Sequence, residues 1–285
     1  HVMSIILFLS SINASKIEFD RYTIDDGLSQ NTVYKVFQDS RGYIWLGTQG
    51  GLDRFNGYEF KHYEHESNDS TSIVDGWIRA INEDKDGLLW LGTVGGNLGW
   101  FDPYDEIGGE IDLYSNYPDF KRPNYIHDIL FHGDYIFLTT LGSGLCRYNR
   151  TDGSTLWYSA DSTAKHHIKD RVITNIFSIS DSEILFGDRS IIILNTETNE
   201  HVEPYNELIE KEIGVPFDSI KVSSITQTND RKILIGTWSD HGLIILDTEN
   251  KVVSQFFPLP PDSDSGKIPR TMIGEITIDR FNKLW

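Results

Sequence analysis

The four residues Trp45-Leu46-Gly47-Thr48 recur forty-five positions later as Trp90-Leu91-Gly92-Thr93. No other feature of the chain limits its fold as tightly. A fixed period marks a repeat architecture, in which each unit buries its apolar surface mainly against its neighbours. Weaker copies follow at Phe137-Leu138-Thr139-Thr140, Leu185-Phe186-Gly187-Asp188 and Leu234-Ile235-Gly236-Thr237, and Trp285 stands at the first letter of a sixth. The anchors 45, 90, 137, 185, 234 and 285 are spaced by 45, 47, 48, 49 and 51 residues, a drift that loop insertions produce.

Each anchor has the same surroundings. An apolar alternation and a polar turn precede it, as in TVYKVFQDSRG and GWIRAINEDKDG, and a Gly-rich turn with a third β-rich run follows, as in GGLDRFN and GSGLCRYN. A fourth, more polar run such as EFKHYE or STLWYS completes the unit. Turn residues between β-rich runs predict hairpins. Four short strands in one period of this length predict a β-propeller blade, so the expected fold is all-β, five four-stranded blades and the start of a sixth. One helix is expected as an insertion between blades, over Glu203 to Gly214, with Tyr205, Leu208, Ile209 and Ile213 on one face.

Alternation along a strand puts Trp45 and Gly47 on one face and Leu46 and Thr48 on the other. A glycine inside a strand marks a close approach by a neighbour. The repeated Trp45, Gly47, Trp90, Gly92, Gly187, Gly236 and Trp285 are therefore read as packing residues of the blade interfaces, each tryptophan filling the interface and each glycine admitting a bulky side chain. Asp39, Asp84 and Asp279, each six residues before an anchor, are expected to shape the first hairpin of their units.

Formal charge is −18, which argues against a nucleic-acid partner, since phosphate binding needs a basic surface. The single cysteine, Cys146, excludes an internal disulfide framework and a thiolate zinc cluster. Residues 1–15 contain the apolar run SIILFLSS followed by small residues. This reads either as the remnant of a secretory signal or as an N-terminal strand, and it is too short to span a bilayer. Residues 16–285 form the expected propeller region.

The stretch Gly27 to Tyr63 resembles the two-component regulator propeller repeat. Gly27-Leu28-Ser29, the Asp39-x-x-Gly42-x-x-Trp45-x-Gly47-Thr48 core and the Gly51-Leu52-x-x-Phe55 tail all fit it. The second unit fits through Asp84, Gly87, Trp90, Gly92 and Thr93, with Asn97 displacing the tail by one residue. Units three to five depart, with Phe137, Leu185 and Leu234 at the anchor, so the match is specific over about a third of the chain and periodic over the rest. The resemblance implies the periplasmic sensor region of an exported membrane signalling protein of the hybrid histidine kinase or diguanylate cyclase type. It further implies a non-catalytic role, an extracellular cue, often an oligosaccharide, and a membrane helix and signalling output lying downstream. An array stopped within a sixth unit leaves apolar blade faces open, so self-association through those faces, or cover by the N-terminal run, is expected.

In a propeller the loops before the first strand and after the second strand of each unit gather at the central entrance, where function is expected. Ligand-binding candidates on those loops are Asn31, Trp77, Tyr125, Arg171, Arg189, Trp238 and His241. Aromatic rings beside amide and charged groups suit a saccharide, whose apolar face stacks while its hydroxyls are hydrogen-bonded. No cofactor and no metal is expected. His166-His167 is read as a solvated loop pair without a third ligand, and Asp84-x-Asp86-Gly87 lacks the later ligands of a calcium loop. Two alternatives remain open, a propeller enzyme such as a lyase or glycosidase and a protein-interaction platform. Nucleophile-elbow, phosphate-loop and His-Glu-x-x-His patterns do not occur.

Overall fold

The computed structural model describes residues 21–117, 120–159, 166–238 and 241–256 together with Ile273 and Ile276. The N-terminal run, Asp279 and Trp285 lie outside the described residues. Five antiparallel sheets follow one another along the chain, each a blade whose strands are hydrogen-bonded in sequence order. Blade 1 holds β1 (Val33–Gln38), β2 (Ile44–Thr48), β3 (Leu52–Phe55) and β4 (Phe60–Tyr63). Blade 2 holds β5 (Ile78–Glu83), β6 (Leu89–Thr93), β7 (Leu98–Asp102) and β8 (Ile107–Ile111). Blade 3 holds β9 (Tyr125–His132), β10 (Tyr135–Leu141), β11 (Leu145–Asn149) and β12 (Thr155–Ser159), and gains a parallel two-residue strand, β13 (His166–His167). Blade 4 holds β14 (Asn175–Ser178), β15 (Glu183–Gly187), β16 (Ile191–Asn195) and β17 (His201–Val202). Blade 5 holds β18 (Val222–Gln227), β19 (Lys232–Thr237), β20 (Leu243–Asp247) and β21 (Val252–Phe256). The two histidines thus extend a sheet instead of sitting on a loop, and the His166 ring packs 5.3 Å from that of Tyr158.

The core is divided among the blade interfaces. Trp45 packs with Ile78, Ile81, Leu89 and Leu91 of blade 2, and Trp90 packs with Ile126, Ile129 and Ile136 of blade 3. Phe137 meets Ile176, Ile184 and Phe186 of blade 4, and Leu185 meets Ile233, Ile235 and Ile244 of blade 5. Leu234 packs with Ile276 and Ile273, beyond blade 5. Every described anchor therefore faces the next unit. The glycine two residues on makes that approach possible: a Cβ on Gly47 would lie 2.9 Å from the Ile78 carbonyl oxygen, and one on Gly92 only 2.6 Å from the Ile126 side chain. Gly187 differs, since a Cβ there would run into the Ser190 carbonyl of its own turn.

The aspartates do more than shape hairpins. Asp39 accepts backbone hydrogen bonds from Arg41 and Tyr43, and its second oxygen accepts the Trp45 indole N–H at 2.9 Å. Asp84 repeats this with Asp86, Leu88 and the Trp90 indole at 3.0 Å. One carboxylate fixes the turn and satisfies the buried donor of the interface tryptophan, which would otherwise be costly to leave unpaired. The helix α1 (Asn206–Ile213) lies between blades 4 and 5, ends at Gly214 in the left-handed region, and buries Ile209 in that interface.

Candidate functional site

Inner strands β1, β5, β9, β14 and β18 all line one central cavity of about 610 Å³. A shared irregularity aims side chains into it. In β1 the pairing register slips between Val33 and Lys35, in β5 between Ile78 and Ala80, and in β18 between Val222 and Ser224. In β9 the partners pass from Ile126 to Asp128. The skipped residues are Tyr34, Arg79, Ser223 and His127, and Thr174 holds the equivalent position just before β14. All five line the cavity. An extra residue in one strand bends it and re-aims its side chain, the usual role of a β-bulge beside a functional site.

The loops that were expected to meet at the entrance are hydrogen-bonded to one another. The Val94 N–H donates to the Trp77 carbonyl, Gly95 to Asn124, Gly142 and Gly144 to Arg171, and Trp238 to Lys221. Among the predicted residues, Trp238 lines the cavity with its side chain 51% exposed. Trp77 and Tyr125 sit one layer back. The Trp77 ring packs edge-on against Tyr34, with centroids 6.4 Å apart, and Tyr125 lies against both Arg79 and His127. The Arg79 guanidinium lies 4.5 Å from the Tyr34 ring centre and 4.3 Å from that of Tyr125, so one cation bridges blades 1 and 3.

The other predicted positions are placed apart from the lining. Asn31 accepts a hydrogen bond from the Ile24 backbone and braces the short turn of 3-10 helix over Ile24–Asp26. Arg171 contributes its carbonyl to the turn after β10, and its side chain is exposed. Arg189 is exposed beside Asp188, and the His241 carbonyl accepts from Gln255. Tyr34, Lys35, Arg79, His127, Asp128, Thr174 and Ser223 were missed by sequence reasoning. A positional signal exists: Tyr34, Arg79, Thr174 and Ser223 each lie eleven positions before their anchor, and His127 ten.

The electrostatics of the cavity are mixed. Lys35 pairs with Asp128 at 3.7 Å. Burial, helped by the positive charges of Arg79 and Lys35, pushes the His127 imidazole down to about 4, so the ring is neutral at physiological pH. Burial and then the neighbouring Asp170 carboxylate push Asp188 up, while Arg189 and Lys221 oppose this. Among the described residues four buried side-chain N or O atoms lack a hydrogen-bond partner, and two of them, His127 Nδ1 and Ser224 Oγ, belong to residues that line this cavity. Buried polar atoms ordinarily find partners, so these two are unmet capacity for donors and acceptors. Among the described residues no cluster of three His, Cys, Asp or Glu side chains could hold a metal ion, and no helix is long and apolar enough to cross a membrane.

Comparison with known proteins adds to this geometry. Residues 27–50 and 72–95 match the two component regulator propeller family, covering the Trp45 and Trp90 units. The chain carries two-component regulator propeller repeats. A histidine kinase of Formosa agariphila is 44% identical over 77 residues, which is 25% of this chain and 6% of the kinase. The extracellular domain of a hybrid two component system from B. thetaiotaomicron superposes with a TM-score of 0.70 at 20% identity, over 93% of this chain and 33% of that one. Virginiamycin B lyase from Staphylococcus aureus, solved with quinupristin, superposes with a TM-score of 0.62 at 16% identity, over 88% of this chain and 76% of the lyase. At such identities both likenesses establish the propeller fold. The repeat array therefore spans a small part of the kinase and a third of the extracellular domain. Sensor domains and enzymes both occur among the propellers it resembles.

Proposed function

We propose that this chain is part of the extracytoplasmic ligand-sensing region of a membrane signalling receptor, that it performs no catalysis, and that its cue is a saccharide bound in the central cavity. One observation carries the reading: four bulge residues and Thr174 at the equivalent position, one from each of five successive blades, converge on a single cavity whose size suits a small ligand. Tyr34 and the exposed Trp238 offer ring faces, Lys35, Arg79 and Asn175 offer donors, and Asp128, the neutral His127 and the Ser223 hydroxyl, whose proton goes to the Ile273 carbonyl, offer acceptors. This mixture matches a molecule with one apolar face and many hydroxyls. The repeat family and the histidine kinase relative support the signalling context. A reporter strain carrying the intact receptor tests the reading. Trp238→Ala and Tyr34→Ala are expected to abolish or strongly right-shift the response to the inducing oligosaccharide, and unchanged dose-response curves in both variants would count against it. Recovery of the oligosaccharide unaltered after incubation with the protein separates sensing from lyase or glycosidase activity.

A further inference from the structure

We infer that Arg79 makes the cavity selective for an acidic saccharide, binding a carboxylate or sulfate group of the ligand. This rests on the proposed saccharide site and names its ligand class. Arg79 is the bulge residue of β5, half-buried, with its guanidinium over the Tyr34 ring at 4.5 Å and over the Tyr125 ring at 4.3 Å. Among the described residues no carboxylate lies within ion-pair distance of it, and none accepts a hydrogen bond from its guanidinium. The other cation of the lining, Lys35, is already matched by Asp128. Lying over a ring face consumes none of the guanidinium's five N–H donors, which remain available for an oxyanion. A partly buried, unmatched cation is costly unless something pairs with it.

The charge of the whole chain sharpens the point. At −18 overall, the molecule repels anions in general, so an anion can be retained only where a local cation outweighs that field. Arg79 meets the condition, held over two tyrosine rings, and the neutral state of His127 keeps the adjoining lining free of a competing cation. A plain structural staple between blades 1 and 3 would also place a cation between Tyr34 and Tyr125. It would have no use for an open donor fork, and its removal would change stability without changing ligand preference.

The test uses the arginine side-chain Nε–Hε signals of the isotopically labelled full chain in NMR titrations with glucuronate, glucose 6-sulfate and glucose. The expected result is a saturable shift of the Arg79 signal with at least one of the anions and none with glucose, and the anion that acts identifies the group recognised. Arg79→Gln is expected to remove the anion-dependent shifts of the other cavity residues. Arg79→Lys, which keeps the charge and loses the fork, is expected to weaken binding about tenfold. Equal shifts with glucose and glucuronate would overturn the acidic preference and leave the saccharide site standing. An Arg79 signal indifferent to both anions would overturn it as well, and so would an Arg79→Gln variant that melts earlier yet keeps the glucuronate shifts. Where Arg79→Gln does not fold, the wild-type titration decides alone.

Discussion

Blades 1 and 2 carry the same Trp-Leu-Gly-Thr block and both match the repeat family, yet their rear faces live in different surroundings. In blade 2 the inner-strand residue Ile81 is paired with Leu91 and is 2% exposed, sealed by Trp45 and Leu52 of the preceding blade. Its counterpart in blade 1 is Val36, paired with Leu46 and 62% exposed. The third-strand position behind them is Gly99 in blade 2, where the Val74 side chain fills the space a Cβ would take. In blade 1 it is Asp53, fully buried but polar, held by Ser29 Oγ at 2.6 Å and His62 Nδ1 at 2.7 Å. Ser29 and Val74 both lie four residues before the first paired residue of their inner strands. The repeat signature thus specifies the forward face and its turn, while the rear face follows whatever stands behind it.

Five single substitutions and one double sharpen or break this contrast. Ile81→Asp places an unpaired charge in a sealed interface and is expected to cost about 3–5 kcal/mol, read as a lower midpoint in urea unfolding. Asp84→Ala and Asp39→Ala remove the same three hydrogen bonds from equivalent forward faces, the latter also a half-exposed contact with Arg41, and should each cost about 1–3 kcal/mol. A large difference between those two would show that the forward faces are not equivalent. Ser29→Val leaves Asp53 short of its hydroxyl donor and is expected to cost about 1.5–3 kcal/mol, with part of the loss recovered when Asp53→Gly is added to reproduce the pair of blade 2. Val36→Asp is expected to stay within about 0.5 kcal/mol, as at an ordinary surface position. A Val36→Asp effect as large as that of Ile81→Asp would mean that the rear face of blade 1 is sealed in solution.

The period, the blade count among the described residues and the interface role of Trp45 and Trp90 were legible in the sequence, because each blade interface needs the same bulky anchor and the same gap two residues later. The bond from each aspartate to its tryptophan was hidden by distance along the strand: six residues is close only once the hairpin closes. The site was less legible than the fold. Loop position singled out Trp238, and it brought Trp77 and Tyr125 to within one contact of the lining. The bulge residues escaped because one extra residue scarcely disturbs an apolar alternation, and because Tyr34, Arg79, His127, Thr174 and Ser223 share a position without sharing a chemistry. A search for residue types finds repeats whose role is packing, whereas a recognition surface varies from unit to unit by necessity.

Hydroxyl-radical footprinting of the chain, with and without the oligosaccharide that elicits signalling, tests the cavity assignment most directly. Tyr58 and Tyr104 are 95% and 86% exposed and lie outside the cavity lining, so they serve as internal references. The account predicts that Trp238 and Tyr34 become protected while Tyr58 and Tyr104 oxidise as before. Protection confined to Tyr58, Tyr104 or other surface positions, with Trp238 and Tyr34 unchanged, would contradict it.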